Sequence, residues 1–450
     1  MALSTCSNGA LFSPTDGHLS FLAPHAEMAN TVITANIIFI LFMVLYLWRQ
    51  IMREGNHFLI NDELHSKIAF LTSINKERRQ FVASSKFKNE APFLMEQIIC
   101  QRKAKEKLPF MNEKKCFYTQ KALMQATHHQ VAAWKAKYIS SQTTSNTIIS
   151  LTAGLGADDY FLSQHFTKVV SIDLDPLLHE ISLYNNQKLG IAHIERHNMS
   201  CQDYLVENPI HNGIIYLDPD RQAEQGATNK NVALFSPNII ELTPALLNRG
   251  NVVFIKLSGV TDLDWIRANV PMVSEIHIIS LENEVKEILL KLEKSEKNIP
   301  SEIFVTELFK ASLNHTLNKV QIVDMKSFLN QADVSSKYIF HPHNAIIKSN
   351  LLRDPNLCIS PNTQFFHCDD TQLSDFGQLY RIDEVLNMSL KQLKKQLKSI
   401  GLNKATIIAR NSSLNSNAAK SFLQMKENSS RVILIFGNNK SNTIYITSRV

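Results

Sequence analysis

The sequence predicts an α/β fold organised around a parallel β-sheet, and two stretches of the chain carry this prediction. Residues 147–175 read TIISLTAGLGADDYFLSQHFTKVVSIDLD: an apolar β-prone run enters a glycine loop, a helical pattern follows, and a second apolar run ends in Asp173. Farther along, the apolar run 214–217 ends in Asp-Pro-Asp-Arg at residues 218–221. Because the carboxyl ends of parallel strands meet at one edge of a sheet, we expect the glycine loop and both acidic positions to line one crevice.

The loop after the first strand has the properties of a nucleoside site. Gly154 and Gly156 allow a ligand to approach the backbone closely, and Asp173, roughly 20 residues farther on, can accept hydrogen bonds from ribose hydroxyls. A dinucleotide fingerprint would have a third glycine where Asp159 stands, and a pyrophosphate would be repelled by Asp158 and Asp159 at the start of the helix. S-adenosylmethionine carries no phosphate, so the loop favours this cofactor over a dinucleotide.

The chain after Asp173 continues the alternation of helices and strands. Asp175 and Pro176 form the N-cap and first residue of a helix that ends at Gly190. A third apolar piece near residue 194 leads to Asn198, and the fourth strand follows at 214–217. These elements predict a Rossmann-like sheet whose fourth strand ends in Asp218 beside the topological switch point.

Three segments of the predicted sheet are distinctive: L-T-A-G-L-G-A-D (151–158), I-I-Y-L-D-P-D-R (214–221) and V-F-I-K-L-S (253–258). Together they resemble a family of bacterial class I S-adenosylmethionine-dependent methyltransferases, in which the tip of strand four holds the atom to be methylated. Q-R-K-A-K-E-K-L-P (101–109) resembles the N-terminal helical region of this family, and Y-I-F-H-P-H-N-A-I-I-K (338–348) resembles the start of its C-terminal THUMP-like domain. The family usually has Asp, Arg and Pro where this chain has Ser150, Gln222 and Gly259.

The resemblance runs from about residue 56 to the end and implies a division of the 450 residues. The expected parts are an extra N-terminal segment (1–55), a helical N-terminal region (56–140), the methyltransferase domain (141–268), a small α+β ferredoxin-like domain (269–335) and a small α+β THUMP-like domain (336–450). The periodicity of 285–292 also allows a helix, whereas the resemblance favours a hairpin with 276–281. A closing hairpin is expected from 431–436 and 443–447.

The extra N-terminal segment allows two interpretations. Residues 31–48 carry no charge and are followed by Arg49 and Arg53, which is the pattern of a transmembrane helix with the rest of the chain in the cytoplasm. Because the resemblance begins only after this segment, a true start near Met52 is the favoured interpretation. The protein is then cytoplasmic, and a membrane contact is expected only if 31–48 is a genuine anchor.

Charge is distributed unevenly along the chain. Residues 56–140 and 336–450 each contain 15 basic and 7 acidic residues, a net charge of +8, whereas residues 141–268 contain 8 basic and 14 acidic residues, a net charge of −6. Basic modules beside an acidic catalytic domain are expected when a nucleic acid is held away from the reaction centre. One helix has an apolar stripe and a lysine face, which is either a phosphate-binding surface or a solvated one: Leu390, Leu393, Leu397 and Ile400 against Lys391, Lys394, Lys395 and Lys398.

The six cysteines are scattered without the spacing of a zinc site or a disulfide framework, so they predict free thiols in a reducing compartment. Methyl transfer from a sulfonium needs no metal, and none is expected. No protein partner is indicated by any motif.

The resemblance implies a role for each site residue. Thr152, Ala153, Gly154 and Gly156 would lie against the methionine part of S-adenosylmethionine, Asp173 would bind the ribose, and Asn198 would lie near the adenine. Asp218 also belongs to the cofactor edge, and with the Pro219 carbonyl it would orient or deprotonate the acceptor. Arg221 would contact the acceptor or a phosphate.

The implied function is methylation of a structured RNA, a tRNA or an rRNA. The Asp-Pro-Asp-Arg motif lacks the aromatic residue that stacks on a base during amine methylation, which disfavours exocyclic amino groups as acceptors. A competing hypothesis is an RNA-binding protein that retains the fold without the activity, since Ser150, Gln222 and Gly259 depart from the family pattern. A nicotinamide oxidoreductase ranks third, because Asp-Pro on strand four would have no role in it.

Overall fold

The computed structural model describes residues 59–221, 235–294, 301–309, 315–330, 335–438 and 441–450. These residues fall into two units, one up to Met95 and one from Glu96 to Val450. The predicted anchor at 31–48 and the alternative start at Met52 lie outside the described residues. Within the described ranges no helix combines the length and the apolar character needed to cross a membrane.

The first unit is helical, as its sequence predicts. Its helices are α1 (Glu63–Ser73), α2 (Lys76–Phe87) and a 3-10 turn (Lys88–Glu90), and α3 (Ala91–Lys107) begins in it. The Lys67 ammonium lies 2.8 Å from the Glu90 carboxylate and joins α1 to the 3-10 turn. Three short or medium helices follow α3 in the second unit: α4 (Pro109–Glu113), α5 (Gln120–Gln125) and α6 (His129–Ser141).

A nine-stranded sheet forms the centre of the second unit. Its parallel part has the order β3-β2-β1-β4-β7. Strands β2 and β3 lie on one side of β1 and strands β4 and β7 on the other, so the topological switch point lies between β1 and β4. The strands are β1 (Thr147–Ser150), β2 (Lys168–Asp173), β3 (Ile194–Asn198), β4 (Ile214–Leu217) and β7 (Val252–Ser258). The connecting helices are α7 (Ala157–Leu162), α8 (Pro176–Leu189), α9 (Cys201–Glu207), α10 (Ile239–Asn248) and α11 (Leu263–Asn269), and a small hairpin, β5 (Asp220–Arg221) with β6 (Phe235–Ser236), follows β4.

The strands described between residues 269 and 318 extend the nine-stranded sheet, and a separate ferredoxin-like domain at 269–335 stays a prediction. The hairpin β8 (Val273–Leu281) and β9 (Glu284–Leu292) exists as expected, but β9 pairs antiparallel with β7 and extends the same sheet. β10 (Glu302–Leu308) and β11 (His315–Asn318) continue it. The physical reason is burial on both faces: Leu289 and Leu290 point to opposite sides, and each is buried in a different core layer of the sheet.

The C-terminal part forms a second sheet of seven strands with the order β12-β14-β13-β15-β18-β17-β16. The closing hairpin of β17 and β18 is present as predicted. Helix α12 and a 3-10 turn lead into this sheet. The elements are α12 (Lys319–Asp324), the 3-10 turn (Met325–Phe328), β12 (Leu329–Asn330), β13 (Tyr338–Pro342), α13 (Asn344–Ser349), β14 (Phe366–Cys368), a 3-10 turn (Gln372–Phe376), β15 (Gly377–Met388), α14 (Leu390–Ser399), β16 (Thr406–Arg410), α15 (Ser416–Leu423), β17 (Arg431–Asn438) and β18 (Ser441–Arg449).

Helix α14 has the predicted amphipathic pattern except at its end. Leu390, Leu393 and Leu397 are buried, whereas Ile400 is 55% exposed, so its place in the apolar stripe is a wrong prediction. The helix ends at Ser399, and Gly401 with a φ of +69° reverses the chain, which turns Ile400 away from the core. Of the four lysines, Lys391, Lys395 and Lys398 are exposed, and the Lys394 ammonium lies 5.2 Å from the centre of the Phe422 ring.

Candidate active site

The glycine loop follows β1 at the carboxyl edge of the sheet. Gly154 and Gly156 have φ values of +54° and +81°, a backbone conformation that residues with a side chain rarely adopt. No atom lies within 4 Å of the position that a Cβ of Gly154 would occupy, so the loop borders open space there. Thr152 and Ala153 precede the turn and are half-buried. The backbone of this loop is therefore accessible to a ligand.

Asp173 at the end of β2 is hydrogen-bonded to the glycine loop. Its Oδ2 accepts a hydrogen bond from the Gly154 N–H at 2.6 Å, and its Oδ1 accepts one from the Asp175 N–H at 2.9 Å. Each carboxylate oxygen has a second lone pair that remains able to accept a hydroxyl. Asn198 at the end of β3 donates its amide to the Asp173 carbonyl at 3.0 Å. The tips of β1, β2 and β3 are thus joined by hydrogen bonds.

Arg196 is a residue of this site that sequence reasoning missed. Its guanidinium donates to the Gly154 carbonyl at 2.5 Å and to the Ser171 hydroxyl at 3.0 Å, and it lies 3.9 Å from the Asp159 carboxylate. The side chains of Arg196 and Asp159 are each 1% exposed. Burial raises the pKa of Asp159 to about 6 in spite of the opposing attraction of Arg196. The signal in the sequence was an arginine inside a short β-strand.

Asp158 also points into the protein. Its carboxylate lies 3.0 Å from the Lys135 ammonium, and it accepts hydrogen bonds from the hydroxyls of Tyr216 at 2.7 Å and Thr127 at 3.0 Å. The expectation that Asp158 and Asp159 would repel a ligand at the helix start is therefore wrong. Both carboxylates are paired with buried cations and turned away from solvent. The missing third glycine remains as the argument against a dinucleotide.

Asp218 follows β4 and lies against the same loop. Its backbone N–H donates to the Thr152 hydroxyl at 2.6 Å, and its Oδ2 accepts from the Lys256 ammonium at 2.5 Å. Its side chain is 32% exposed, so its carboxylate also reaches the crevice. Lys256 lies on β7 and was missed as a site residue, although a lone lysine in the apolar run V-F-I-K-L-S was a signal for it. Pro219 is buried behind Asp218.

Burial has the largest effect on the pKa of Asp218. Burial raises the pKa of Asp218 and outweighs the attraction of Lys256, which lowers it. Burial alone would lower the pKa of Lys256, but Asp218, Glu287 and Asp158 together raise it above its ordinary value. Lys256 is therefore an ammonium at neutral pH, and Asp218 binds a proton more readily than an exposed aspartate does.

Helix α5 contacts the Asp-Pro-Asp-Arg motif through Asp220. The Asp220 carboxylate lies 2.7 Å from the Lys121 ammonium and 2.7 Å from the Gln125 amide. Lys107 donates to the backbone carbonyls of Leu123 and Met124 at the end of α5, and burial lowers its pKa to about 8. Lys107 is thus a structural residue at this position.

Arg221, the remaining predicted site residue, lies on β5, and its interaction with an acceptor stays a prediction. Gln222 lies outside the described residues. Thr152, Ala153, Gly154, Gly156, Asp173, Asn198 and Asp218 come together at one edge of the sheet. The structure adds Arg196 and Lys256 to this group, and the contacts of the group with a cofactor stay a prediction.

Comparisons with known proteins agree with this architecture. Residues 377–449 match the family model described as THUMP domain-like. An uncharacterised S-adenosylmethionine-dependent methyltransferase of Mycobacterium tuberculosis, known from two strains, is 24% identical over 210 residues, which are 46% of this chain and 55% of the relative. The chain thus spans about half the length of the curated relatives it matches.

A crystal structure from Porphyromonas gingivalis W83, provisionally described as a methyltransferase, has a TM-score of 0.71 and 19% sequence identity and covers 87% of this chain and 100% of that chain. The chain has a class I methyltransferase fold followed by a THUMP-like domain. The likeness to the Porphyromonas protein shows the fold.

Two of the residues that depart from the family pattern, Ser150 and Gly259, lie in the part of the chain that the structure describes. Ser150 is buried at the end of β1, behind the glycine loop. At Gly259 a Cβ atom would lie 2.6 Å from the Val285 carbonyl oxygen, and the Gly259 N–H donates to the Lys286 carbonyl at 3.3 Å. Proline would clash with Val285 and lose this hydrogen bond, so glycine fits the local packing of β7 against β9.

Proposed function

We propose that this protein is an S-adenosylmethionine-dependent methyltransferase whose acceptor is a structured RNA. One observation carries the first part of this proposal. The glycine loop is hydrogen-bonded on one side to Asp173 at the tip of β2 and on the other side to Asp218 at the tip of β4, both at 2.6 Å. These two acids therefore flank a single accessible backbone loop at the topological switch point of the sheet, where ligands of such sheets bind.

The residues at this loop fit S-adenosylmethionine. The open space at Gly154 admits the methionine part, the second lone pairs of Asp173 can accept the ribose hydroxyls, and Asn198 is exposed at the adjacent strand end. When bound, the cofactor supplies an electrophilic methyl group on a sulfonium. The protein then has to align the acceptor with this methyl group and exclude water.

Asp218 is the residue that would orient the acceptor and take its proton. Lys256 occupies Oδ2 of Asp218, and among the described residues no partner is found for Oδ1. The backbone hydrogen bond to Thr152 and the buried Pro219 hold this carboxylate in place. A geometry in which one oxygen is fixed and the other is open suits a general base. This arrangement favours an active enzyme over a fold retained only for RNA binding.

The RNA part of the proposal is supported by charge. The THUMP-like part carries a net charge of +8, and the exposed Lys391, Lys395 and Lys398 form one face of α14. The region that contains the crevice is acidic and would not attract a polyanion by itself. A nucleic acid would therefore be held mainly at the basic surface, and we place the protein in the cytoplasm with its RNA.

The cofactor proposal is tested by equilibrium binding. Asp173→Ala leaves the ribose hydroxyls without their acceptor, and we expect a loss of about 1–3 kcal/mol in the affinity for S-adenosylmethionine. Isothermal titration calorimetry of the parent and the variant measures this loss. NAD serves as the control ligand and should bind neither protein; an Asp173→Ala variant that binds S-adenosylmethionine as tightly as the parent would contradict the assignment.

The RNA proposal is tested on α14. Replacing Lys391, Lys395 and Lys398 with Gln should weaken RNA binding and reduce the slope of log affinity against log salt concentration by up to about 1 per lysine that contacts a phosphate. Affinity for the cofactor should not change. The matched control replaces Lys168, Arg267 and Lys294, three exposed cations on the sheet domain, with Gln. Equal loss of RNA affinity in both triple variants would show a general charge effect and not a binding face.

A further inference from the structure

Five charged side chains form a buried charge cluster behind the crevice. The cluster consists of Lys135 on α6, Asp158 on α7, Asp218 after β4, Lys256 on β7 and Glu287 on β9. The Lys135 ammonium lies 3.0 Å from Asp158 and 2.8 Å from Glu287, and the Lys256 ammonium lies 2.5 Å from Asp218 and 3.8 Å from Glu287. The two lysines thus join three carboxylates into one chain of contacts.

The charges of this cluster do not cancel. Two ammonium groups face three carboxylates, which leaves one negative charge in excess. Four of the side chains are between 2% and 11% exposed, whereas Asp218 is 32% exposed and is the only member that reaches the crevice. An uncompensated buried charge is costly, so the excess charge is best placed at Asp218, where a proton or a cationic ligand can offset it.

The other titratable groups around Asp218 do not remove this excess. Tyr216 donates its hydroxyl to Asp158, and burial raises its pKa well above the ordinary value, so it stays neutral. The Lys107 ammonium donates to two backbone carbonyls and forms no ion pair with the cluster among the described residues, so its charge acts on Glu287 and Lys256 only over a longer distance. Asp159 pairs with Arg196, and Asp220 pairs with Lys121.

We propose that Asp218 balances the charge of the crevice against the sulfur atom of the cofactor. Its side chain is a carboxylate when the sulfonium of S-adenosylmethionine is bound, and a carboxylic acid when the neutral sulfide of S-adenosylhomocysteine replaces it. This inference rests on the proposed function. It extends that function by naming the group that distinguishes the donor from the product.

Electrons, protons and charge all balance in this scheme. When the methyl group leaves sulfur, the electron pair of the C–S bond stays on sulfur, and a lone pair of the acceptor nitrogen or oxygen forms the new bond to carbon. The proton of the acceptor N–H or O–H passes to Asp218 Oδ1. One positive charge disappears at sulfur and one negative charge disappears at Asp218, so the total charge beside the buried cluster is the same before and after transfer.

The measurable consequence is a pH-dependent preference for the donor over the product. Above the pKa of Asp218 the carboxylate attracts the sulfonium, and below it a proton competes with the sulfonium. The ratio of the Kd of S-adenosylmethionine to that of S-adenosylhomocysteine should therefore rise as pH falls, by up to about tenfold per pH unit once Asp218 is protonated. Because burial raises the pKa of Asp218, this rise begins at a higher pH than for an exposed aspartate.

The experiment is calorimetric titration of the full chain with each ligand at pH values from about 5 to 7. In this window an α-amino group, with a pKa of about 7.7–8.0, and an α-carboxyl group keep the same charge in both ligands. Asp218→Asn should abolish the pH dependence of the ratio, and Asp220→Asn, an identical change two residues away, should retain it. Lys256→Met should move the rise to higher pH, because it removes the cation that opposes protonation of Asp218.

A second measurement does not depend on any variant. Titrations of the parent in buffers with different ionisation enthalpies give the number of protons exchanged, and S-adenosylmethionine should release more protons than S-adenosylhomocysteine does. A ratio that is independent of pH, an equal proton count for both ligands, or a pH dependence that persists in Asp218→Asn would overturn the inference. Failure of both ligands to bind the parent would instead overturn the proposed function, so the two failures can be told apart.

Discussion

Asp218→Asn is expected to lower the rate of methyl transfer by about 10²–10⁴-fold, the range that general-base catalysis contributes. The substitution keeps the size of the side chain and the backbone hydrogen bond to Thr152, but the amide cannot take a proton from the acceptor. Affinity for S-adenosylhomocysteine and for RNA should persist. The measurement is transfer of a labelled methyl group, at saturating cofactor, to RNA from a strain that lacks the protein.

The control for this prediction is Asp203→Asn, the same chemical change at an exposed position in the first turn of α9. Its rate should equal that of the parent. If Asp218→Asn transfers methyl groups within tenfold of the parent rate, Asp218 is not the base. If the parent binds the cofactor but methylates no RNA from the deletion strain, the acceptor belongs to another chemical class.

The residues of the candidate site could be grouped from the sequence because they follow strand ends. Gly154, Asp173 and Asp218 each come directly after a β-prone run, and the rule that carboxyl ends of parallel strands share an edge places them together. Lys256 and Arg196 could not be placed in this way. Each lies inside a strand, and the site residue that it contacts, Gly154 for Arg196 and Asp218 for Lys256, is more than 35 residues away in the chain. These pairings therefore depend on strand order and not on local pattern.

Long-range pairing also limited the prediction of the fold. The hairpin of β8 and β9 was predicted from local alternation and a turn, but its pairing with β7 is a long-range contact that the local pattern does not encode. A signal was present in Ile288, Leu289 and Leu290, which are apolar in succession. A strand that is buried on both faces belongs inside a large sheet, whereas a strand of a small exposed sheet alternates apolar with polar residues.

The side chains of Asp158 and Asp159 at the start of α7 point into the protein, and this removes one reason for excluding a dinucleotide. The sequence suggested that Asp158 and Asp159 would exclude a phosphate by repulsion. In the structure both are paired inside the protein, so this repulsion does not reach the ligand. The case against a nicotinamide cofactor now rests on the absent third glycine and on Asp218, which has no function in hydride transfer.

Lys135→Met is expected to destabilise the second unit by about 3–5 kcal/mol, the usual cost of removing one partner of a buried ion pair. Lys135 is 2% exposed and is the cation shared by Asp158 and Glu287. Without it Asp158 keeps only neutral hydroxyl partners, Tyr216 and Thr127, within hydrogen-bond distance, and a buried carboxylate with no nearby cation is unfavourable. The measurement is the free energy of unfolding from urea titration, followed by tryptophan fluorescence.

The matched control is Lys137→Met, which lies two residues farther along α6 and is exposed. It should change the free energy of unfolding by no more than about 0.5 kcal/mol. Adding Asp158→Asn to Lys135→Met should recover part of the lost stability, because the unpaired carboxylate is then gone; a coupling energy of about 0.5–3 kcal/mol between the two positions is expected. A Lys135→Met variant as stable as Lys137→Met would mean that the cluster contributes nothing to folding. Its excess charge would then be retained only for the chemistry at Asp218.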